Sequence, residues 1–181
     1  MELFTIGHSN HTIEAFIGLL NKHQITALAD VRSHPYSRYL PHFNKSQLQN
    51  NLKTANIHYV FLGQELGARP NNPECYIDGK VVYEKIAETE SFKIGIQRLL
   101  KGVEKYRIAL MCAEKDPFVC HRALLICQHL RNIPNLEINH IKSDSSLEAH
   151  HTLEERLLNK HNCNQQLASV STSLQLSLIW E

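Results

Sequence analysis

Five short apolar runs, each separated from the next by a helix-like segment, are the feature that most restricts how this chain can fold. The runs are residues 3–7 (LFTIG), 26–31 (TALADV), 57–62 (IHYVFL), 107–113 (RIALMCA) and 136–141 (LEINHI). Their length and near-continuous apolar character suit strands buried on both faces. Between the first two, Ile13, Phe16, Ile17 and Leu20 fall at i, i+3, i+4 and i+7 behind a capping Thr12. Leu48, Leu52 and Ala55 mark a helix over 46–55, and Phe92, Ile96, Leu99 and Val103 another within 82–104, broken near 89–91. Asp116 followed by Pro117 has the form of an N-cap with proline at the first helical position, which predicts a helix running to about Leu130. Residues 32–43 and 63–81 carry prolines, glycines and polar clusters without a period and read as loops.

Strands joined through helices pair in parallel. The pattern therefore predicts an α/β single domain: a mainly parallel sheet of about five strands with helices on both faces, a Rossmann-like three-layer arrangement. Residues 1–145 would form the α/β domain that carries the site. Residues 146–181 would add a helix over 146–160 and a tail over 161–181, packing on the domain or on a partner subunit.

Composition removes several classes. With 19 Lys and Arg against 18 Asp and Glu the net charge is +1, which argues against a broad basic clamp for nucleic acid. No stretch approaches the ~18 apolar residues of a membrane-spanning helix. The opening MELFTIGHSN has neither a basic stretch nor a cleavage pattern, so no secretory signal is expected. Five cysteines, Cys75, Cys112, Cys120, Cys127 and Cys163, are an odd count that implies no disulfide framework, and the expected setting is the cytoplasm.

In parallel sheets ligands bind beyond the carboxyl ends of the strands. Here those ends hold most of the chemically able residues. Gly7, His8, Ser9 and Asn10 follow the first run; Asp30, Arg32, Ser37 and Arg38 the second; Gly63, Glu65, Gly67 and Arg69 the third; and CAEKDPFVCHR, residues 112–122, the fourth. Cys112 is a candidate nucleophile, since a thiolate needs a positive setting and a helix start with nearby cations supplies one. Glu114, His121 and His8 are candidates for proton transfer. Arg32 and Arg122 offer planar forks for an anion, and the helix start at Pro117 offers N–H groups for which Asp116 competes. The bland readings are equally concrete. Cys120, Ala123, Leu124, Cys127 and Leu130 make a helical stripe that would turn both cysteines toward the sheet. Arg32 could simply pair with Asp30 or Glu114, and His8 could anchor its loop.

Three motifs can be tested on spacing. Phosphatase and rhodanese loops place about five residues between Cys and Arg, whereas nine separate Cys112 from Arg122 and one separates Cys120 from it. A zinc site could recruit Cys112, Cys120, His121 and His8, yet no CxxC or HExxH occurs. GHSNHT after the first strand lacks the glycines of a dinucleotide loop.

The blocks TIGHSN, ADVRSHPYSR, HFNKSQLQNNL, IHYVFLGQELGARP and CAEKDPFVCHR, taken in order over residues 3–142, resemble the domain-of-unknown-function family numbered 488. The resemblance implies a small bacterial or archaeal α/β protein with a suspected enzymatic activity. It maps the family motif onto His8, Ser9, Asp30, Arg32, Pro35, Ser37, Tyr59, Leu62, Gly67, Cys112, Glu114, Cys120, His121 and Arg122. Ala68 stands where the family often has a second glycine.

The expected function is therefore an enzyme binding a small anionic ligand, a nucleotide or phosphorylated metabolite, at the C-terminal edge of the sheet. Cys112, Glu114, His121 and His8 would be catalytic. Ser9, Asp30, Arg32, Ser37, Tyr59, Gly67 and Arg122 would bind the ligand, with Cys120 and Pro35 as structural neighbours. No metal or other cofactor is expected, zinc being the minor alternative. A homodimer is compatible with the tail. The competing readings are a non-catalytic nucleic-acid or protein-binding module, using the basic and tyrosine-bearing stretch 32–45, and a purely structural tie of loops.

Overall fold

A computed structural model describes residues 1–160. In chain order the principal elements begin with β1 (Glu2–Gly7), α1 (Ile13–Lys22), β2 (Ala27–Asp30), α2 (Lys45–Thr54), β3 (His58–Phe61) and the short α3 (Gly63–Leu66). There follow a hairpin of β4 (Tyr76–Ile77) and β5 (Lys80–Val81), α4 (Tyr83–Glu88), α5 (Glu90–Val103) and β6 (Ile108–Cys112). A π-helical segment (Arg122–Cys127) then leads into α6 (Gln128–Leu130), β7 (Glu137–Ile141), β8 (Leu147–Ala149) and α7 over 150–160.

The main sheet has six strands in the order β3-β2-β6-β1-β7-β8. The first five are parallel, and β8 runs antiparallel to β7 along the edge. Successive side chains leave a strand on opposite faces, so each strand feeds two cores. Phe4 and Ile6 of β1, Leu28 of β2 and Met111 of β6 pack with Phe16 and Leu20 of α1 and Leu48 and Leu52 of α2. Leu3, Ala29 and Leu110 face the other way, against Phe92, Ile96 and Leu99 of α5 and Leu125, Ile126 and Leu130 of the π-helical segment and α6. Each of the Leu, Ile, Phe and Met side chains removed from water contributes roughly 1.5–3 kcal/mol. The expected three-layer α/β architecture is thus present.

Local chemistry accounts for the element ends. Thr12 accepts the Ala15 N–H at 3.2 Å and caps α1. The break expected near 89–91 is a helix boundary, where Thr89 accepts the Phe92 N–H at 3.2 Å and starts α5. Asp78 and Gly79, with φ of 49° and 73°, form the two-residue turn of the β4–β5 hairpin. That Asp-Gly pair was available in the sequence within a stretch taken for loop.

Two expectations are corrected. Residues 147–149 pair with β7 as an edge strand, so the C-terminal helix begins at 150 rather than 146. The helix expected from Asp116 to Leu130 is instead a 3-10 turn (Pro117–Val119), an extended Cys120, and the π-helical segment. Cys120, His121 and Arg122 are consecutive and all buried. The tail over 161–181, and the expectation that it docks on the domain or a partner, lie outside the described residues.

The connection from β1 through α1 to β2 passes β6 on one face. The connection from β6 to β7 passes β1 on the other. The two connections therefore part between β1 and β6, the topological switch point near which parallel sheets bind ligands.

Candidate functional site

At this switch point the two strands continue side by side beyond the sheet. His8 N–H donates to Cys112 O at 2.9 Å and Ser9 N–H to Ala113 O at 3.0 Å. Gly7 is required here: a Cβ on it would lie 1.9 Å from the Glu114 carbonyl oxygen. Ser9 adopts a left-handed φ of 46°, which turns its carbonyl back to within 2.9 Å of His8 Nδ1.

A buried ion-pair network fixes the β2 side. Asp30, wholly inaccessible, accepts from the Arg32 backbone N–H at 3.1 Å, from Arg32 Nε at 2.9 Å, from Nη2 at 2.7 Å and from the Tyr59 hydroxyl at 2.9 Å. Nη2 also donates to Phe43 O at 2.8 Å, and Nη1 lies 3.1 Å from His8 Nε2. Since His8 Nδ1 faces the Ser9 carbonyl, it carries the proton, and Nε2 accepts from the guanidinium. His8 also stacks on Phe43, with ring centroids 4.3 Å apart. Burial and the Arg32 charge depress the His8 pKa to about 4, so the ring is neutral at pH 7. Burial, then Asp30, push the Tyr59 hydroxyl up, and it remains a donor.

The β6 side carries the second cluster. Cys112 Sγ is 3.6 Å and Cys120 Sγ 3.9 Å from His121 Nδ1. Cys120 Sγ is 3.1 Å from Glu114 Oε2. His121 Nε2 is 3.0 Å from the Val31 carbonyl. That carbonyl can only accept, so Nε2 holds the ring proton and Nδ1 turns its lone pair toward the sulfurs. The ligand-type atoms of Cys112, Glu114, Cys120 and His121 all lie within 4.8 Å of one another. The two thiols share protons unequally. A hydrogen bond from Cys112, opposed by burial and assisted by His121 and Arg122, brings Cys120 to about 6. The same hydrogen bond, with burial and the charges of Cys120 and Glu114, pushes Cys112 up. Burial works against the Glu114 carboxylate, but hydrogen bonds from both thiols prevail and hold it at about 2.

Arg122 is 1% exposed. Its Nε donates to Thr5 Oγ1 at 3.3 Å, Nη1 to Glu114 O at 2.7 Å and Nη2 to Lys115 O at 3.1 Å. Its fork grips the backbone of the 114–115 turn, and no carboxylate among the described residues pairs with it.

Between the two clusters opens a cleft of about 200 Å³. Arg32, Ser33 and His34 line it from the β2 loop, Ala68 and Arg69 from the loop after α3, Cys112, Ala113 and Glu114 from the end of β6, and His121 from the start of the π-helical segment. The cleft lining carries the cations Arg32 and Arg69 and one carboxylate, Glu114, and the stretch 31–64 that supplies Arg32, Ser33 and His34 contains no aspartate or glutamate.

Of the residues singled out in the sequence, Arg32, Cys112, Glu114 and His121 line the cleft, and Cys120 sits just behind it. Cys120 and Cys127 both lie in the core, as that stripe implies, and the extended backbone at Cys120 also brings its sulfur to Glu114 and His121. His8, Asp30 and Tyr59 belong to the network around Arg32. Arg122 supports the turn that carries Glu114. Gly67 is a packing position, since a Cβ there would come within 2.4 Å of Ser33 Oγ. Ser37 accepts the Leu40 N–H at 3.1 Å and Pro35 O accepts the Lys45 N–H at 3.0 Å, both shaping the β2 loop. Ser9 Oγ donates to Asn10 Oδ1 at 3.3 Å, its one side-chain hydrogen bond among the described residues. The helix start at Pro117 is a three-residue turn whose Phe118 N–H is taken by Asp116 at 2.9 Å. Ser33, His34 and Ala113 were not singled out, although all three lie within the quoted blocks, and Ala68 was named only for the glycine it replaces.

No curated protein and no solved structure matches the chain. A family model described as a domain of unknown function, DUF488, matches residues 12–128, from the cap of α1 to the start of α6. That span excludes β1 and His8 but carries the whole Cys112–Glu114–Cys120–His121 cluster and the Arg32 network's other members, and on it the chain belongs to the DUF488 family.

Proposed function

We propose that this chain is an enzyme that binds a small anionic ligand in the cleft and acts on it through Cys112, with His121 as its base. The observation that carries this reading is the contact of Cys112 Sγ, in the cleft wall, with His121 Nδ1 at 3.6 Å, the imidazole being held by the Val31 carbonyl at 3.0 Å. A nucleophile, a base within hydrogen-bond reach and a third group orienting that base is the arrangement covalent catalysis needs. A thiol kept protonated by its neighbours requires such a base at the moment of attack. Arg69, exposed at the mouth, and the remaining N–H on Arg32 Nη1 would hold the anion. The volume of about 200 Å³ is below the ~300 Å³ of common ligand pockets, so the group that enters is oxyanion-sized, such as the phosphate end of a metabolite. The described cysteines, Cys75, Cys112, Cys120 and Cys127, are buried and unbridged, which suits a reducing compartment, and we assign the cytoplasm.

The test is labelling of the metal-free, reduced chain by iodoacetamide, read site by site by mass spectrometry. Cys112 should react faster than Cys127. His121→Gln should slow it, inorganic phosphate should protect it, and Arg69→Ala should weaken that protection. Equal rates at Cys112 and Cys127, with no effect of phosphate, would remove the reading.

One observation favours a second reading. Tyr36 and Tyr39, 72% and 89% exposed, flank Arg38 in the acid-free stretch and could stack on bases. A nucleic-acid module of that kind would show saturable, salt-sensitive binding that survives loss of Cys112 and Glu114.

A further inference from the structure

We propose that Cys112, Glu114, Cys120 and His121 form a site for one divalent ion of the zinc class. The inference goes beyond the preceding reading and does not depend on it: with the ion bound, Cys112 is a ligand, and its thiol chemistry belongs to the metal-free chain.

Three observations converge. The first is distance. Zinc binds sulfur at about 2.3 Å and nitrogen or oxygen at about 2.0–2.2 Å, so a tetrahedral set has edges of about 3.5–3.8 Å. The sulfur-to-nitrogen edges here are 3.6 and 3.9 Å, the Cys120-to-Glu114 edge is 3.1 Å, and every pair lies within 4.8 Å. An ion at the centre needs shifts of up to about half an ångström along the three shorter edges, and of no more than about 1.3 Å along any other pair. The second is the outer contact of the histidine. A metal-bound imidazole donates its other N–H to a carbonyl or carboxylate, which fixes the tautomer. His121 Nε2 is already on the Val31 carbonyl at 3.0 Å, leaving Nδ1 bare and aimed at both sulfurs.

The third is charge. Arg122 is buried beside Cys120 with carbonyl and hydroxyl partners but no carboxylate among the described residues. Two thiolates, one carboxylate and a neutral imidazole around a divalent ion leave one net negative charge, which opposes that guanidinium. Loading releases to solvent the protons still held by the two thiols. The donor set also selects the metal: thiolate and imidazole suit zinc and cobalt(II), whereas magnesium and calcium want oxygen alone. Glu114 is the solvent-facing ligand at the cleft lip, so it is the position a ligand or water could exchange.

The full chain, stripped by chelator under reducing conditions, is titrated with cobalt(II) and followed by absorption. One equivalent should produce a thiolate-to-cobalt charge-transfer band and the intense visible bands of a tetrahedral centre, which zinc then bleaches and magnesium does not. Cys120→Ser and His121→Gln should weaken zinc binding at least ~100-fold, while Cys75→Ser, outside the cluster, leaves it unchanged. Circular dichroism of each metal-free variant separates loss of the site from loss of the fold, and Glu114→Gln, at the exposed position, is the variant least able to unfold the chain. Absence of a charge-transfer band in the folded parent, an octahedral spectrum, or a band that persists in both folded Cys120→Ser and His121→Gln overturns the site. Fast, phosphate-protected labelling of Cys112 alongside any of these would leave the thiol reading standing, and the reverse pattern would leave only the metal site.

Discussion

Replacing Asp30 with asparagine keeps the shape of the side chain and removes the charge around which Arg32 is held. Asp30 is inaccessible and accepts four hydrogen bonds, three from Arg32 and one from Tyr59. An asparagine can offer only one oxygen, and its NH₂ would face the donors of a guanidinium that is itself 6% exposed. Removing one partner of a buried pair leaves an uncompensated charge and costs about 3–5 kcal/mol. For a chain of this size, ~2–4 °C of melting temperature per kcal/mol gives a drop of about 6–20 °C. Tyr59→Phe removes one of the four bonds and keeps the charge, so it should cost about 1.5 kcal/mol. Urea denaturation followed by circular dichroism would rank the two, with an unchanged m-value showing that the same transition is being measured. An Asp30→Asn midpoint equivalent to less than ~1 kcal/mol of loss, or a Tyr59→Phe cost greater than that of Asp30→Asn, would refute the reasoning. Arg32 would then be held by other contacts, with its fork free for a ligand.

Other substitutions probe the frame around the cleft. Gly7→Ala must push apart two paired backbones, since its Cβ would sit 1.9 Å from the Glu114 carbonyl, and should destabilise by about 1–3 kcal/mol in the same denaturation assay. Phe43→Ala removes a fully buried ring that stacks on His8 and meets Phe16 edge-on at 5.1 Å, with an expected loss of about 3–5 kcal/mol. Leu153 on α7 is also fully buried, so Leu153→Ala should cost about 2–5 kcal/mol if α7 folds with the sheet; a loss below ~1 kcal/mol would show that it does not. His140 accounts for part of the acid sensitivity. Burial, then the charges of His150, Arg122 and Arg156, lower its pKa to about 3, against about 6.5 when unfolded. Between those values the unfolded chain takes up a proton that the folded chain refuses, so this contribution is complete above pH 6.5 and declines as pH falls toward 3. In an NMR titration the His140 ring should not titrate above pH 4; a midpoint near 6 would contradict its burial.

The five parallel strands and the helices that cover them were legible in the sequence because they depend on local periodicity. Ile13, Phe16 and Leu20 show their helical face without reference to any other part of the chain, and the near-continuous apolar run at 107–113 announces a strand covered on both sides. The same logic located the loops at the strand ends, and with them Arg32, Cys112, Glu114 and His121. The insertion of β6 between β1 and β2 was not legible, yet it is what brings Cys112 beside His8 and Arg32. Nor was the role of Arg122, whose fork turns to the carbonyls of residues 114 and 115, or the extended Cys120 whose sulfur faces Glu114. Periodicity states which face of an element is apolar. It does not say which element is its neighbour, or whether a buried charge will answer to a ligand or to a backbone carbonyl. Those outcomes follow from hydrogen bonds between residues far apart in the chain, which exist only once the sheet has been ordered.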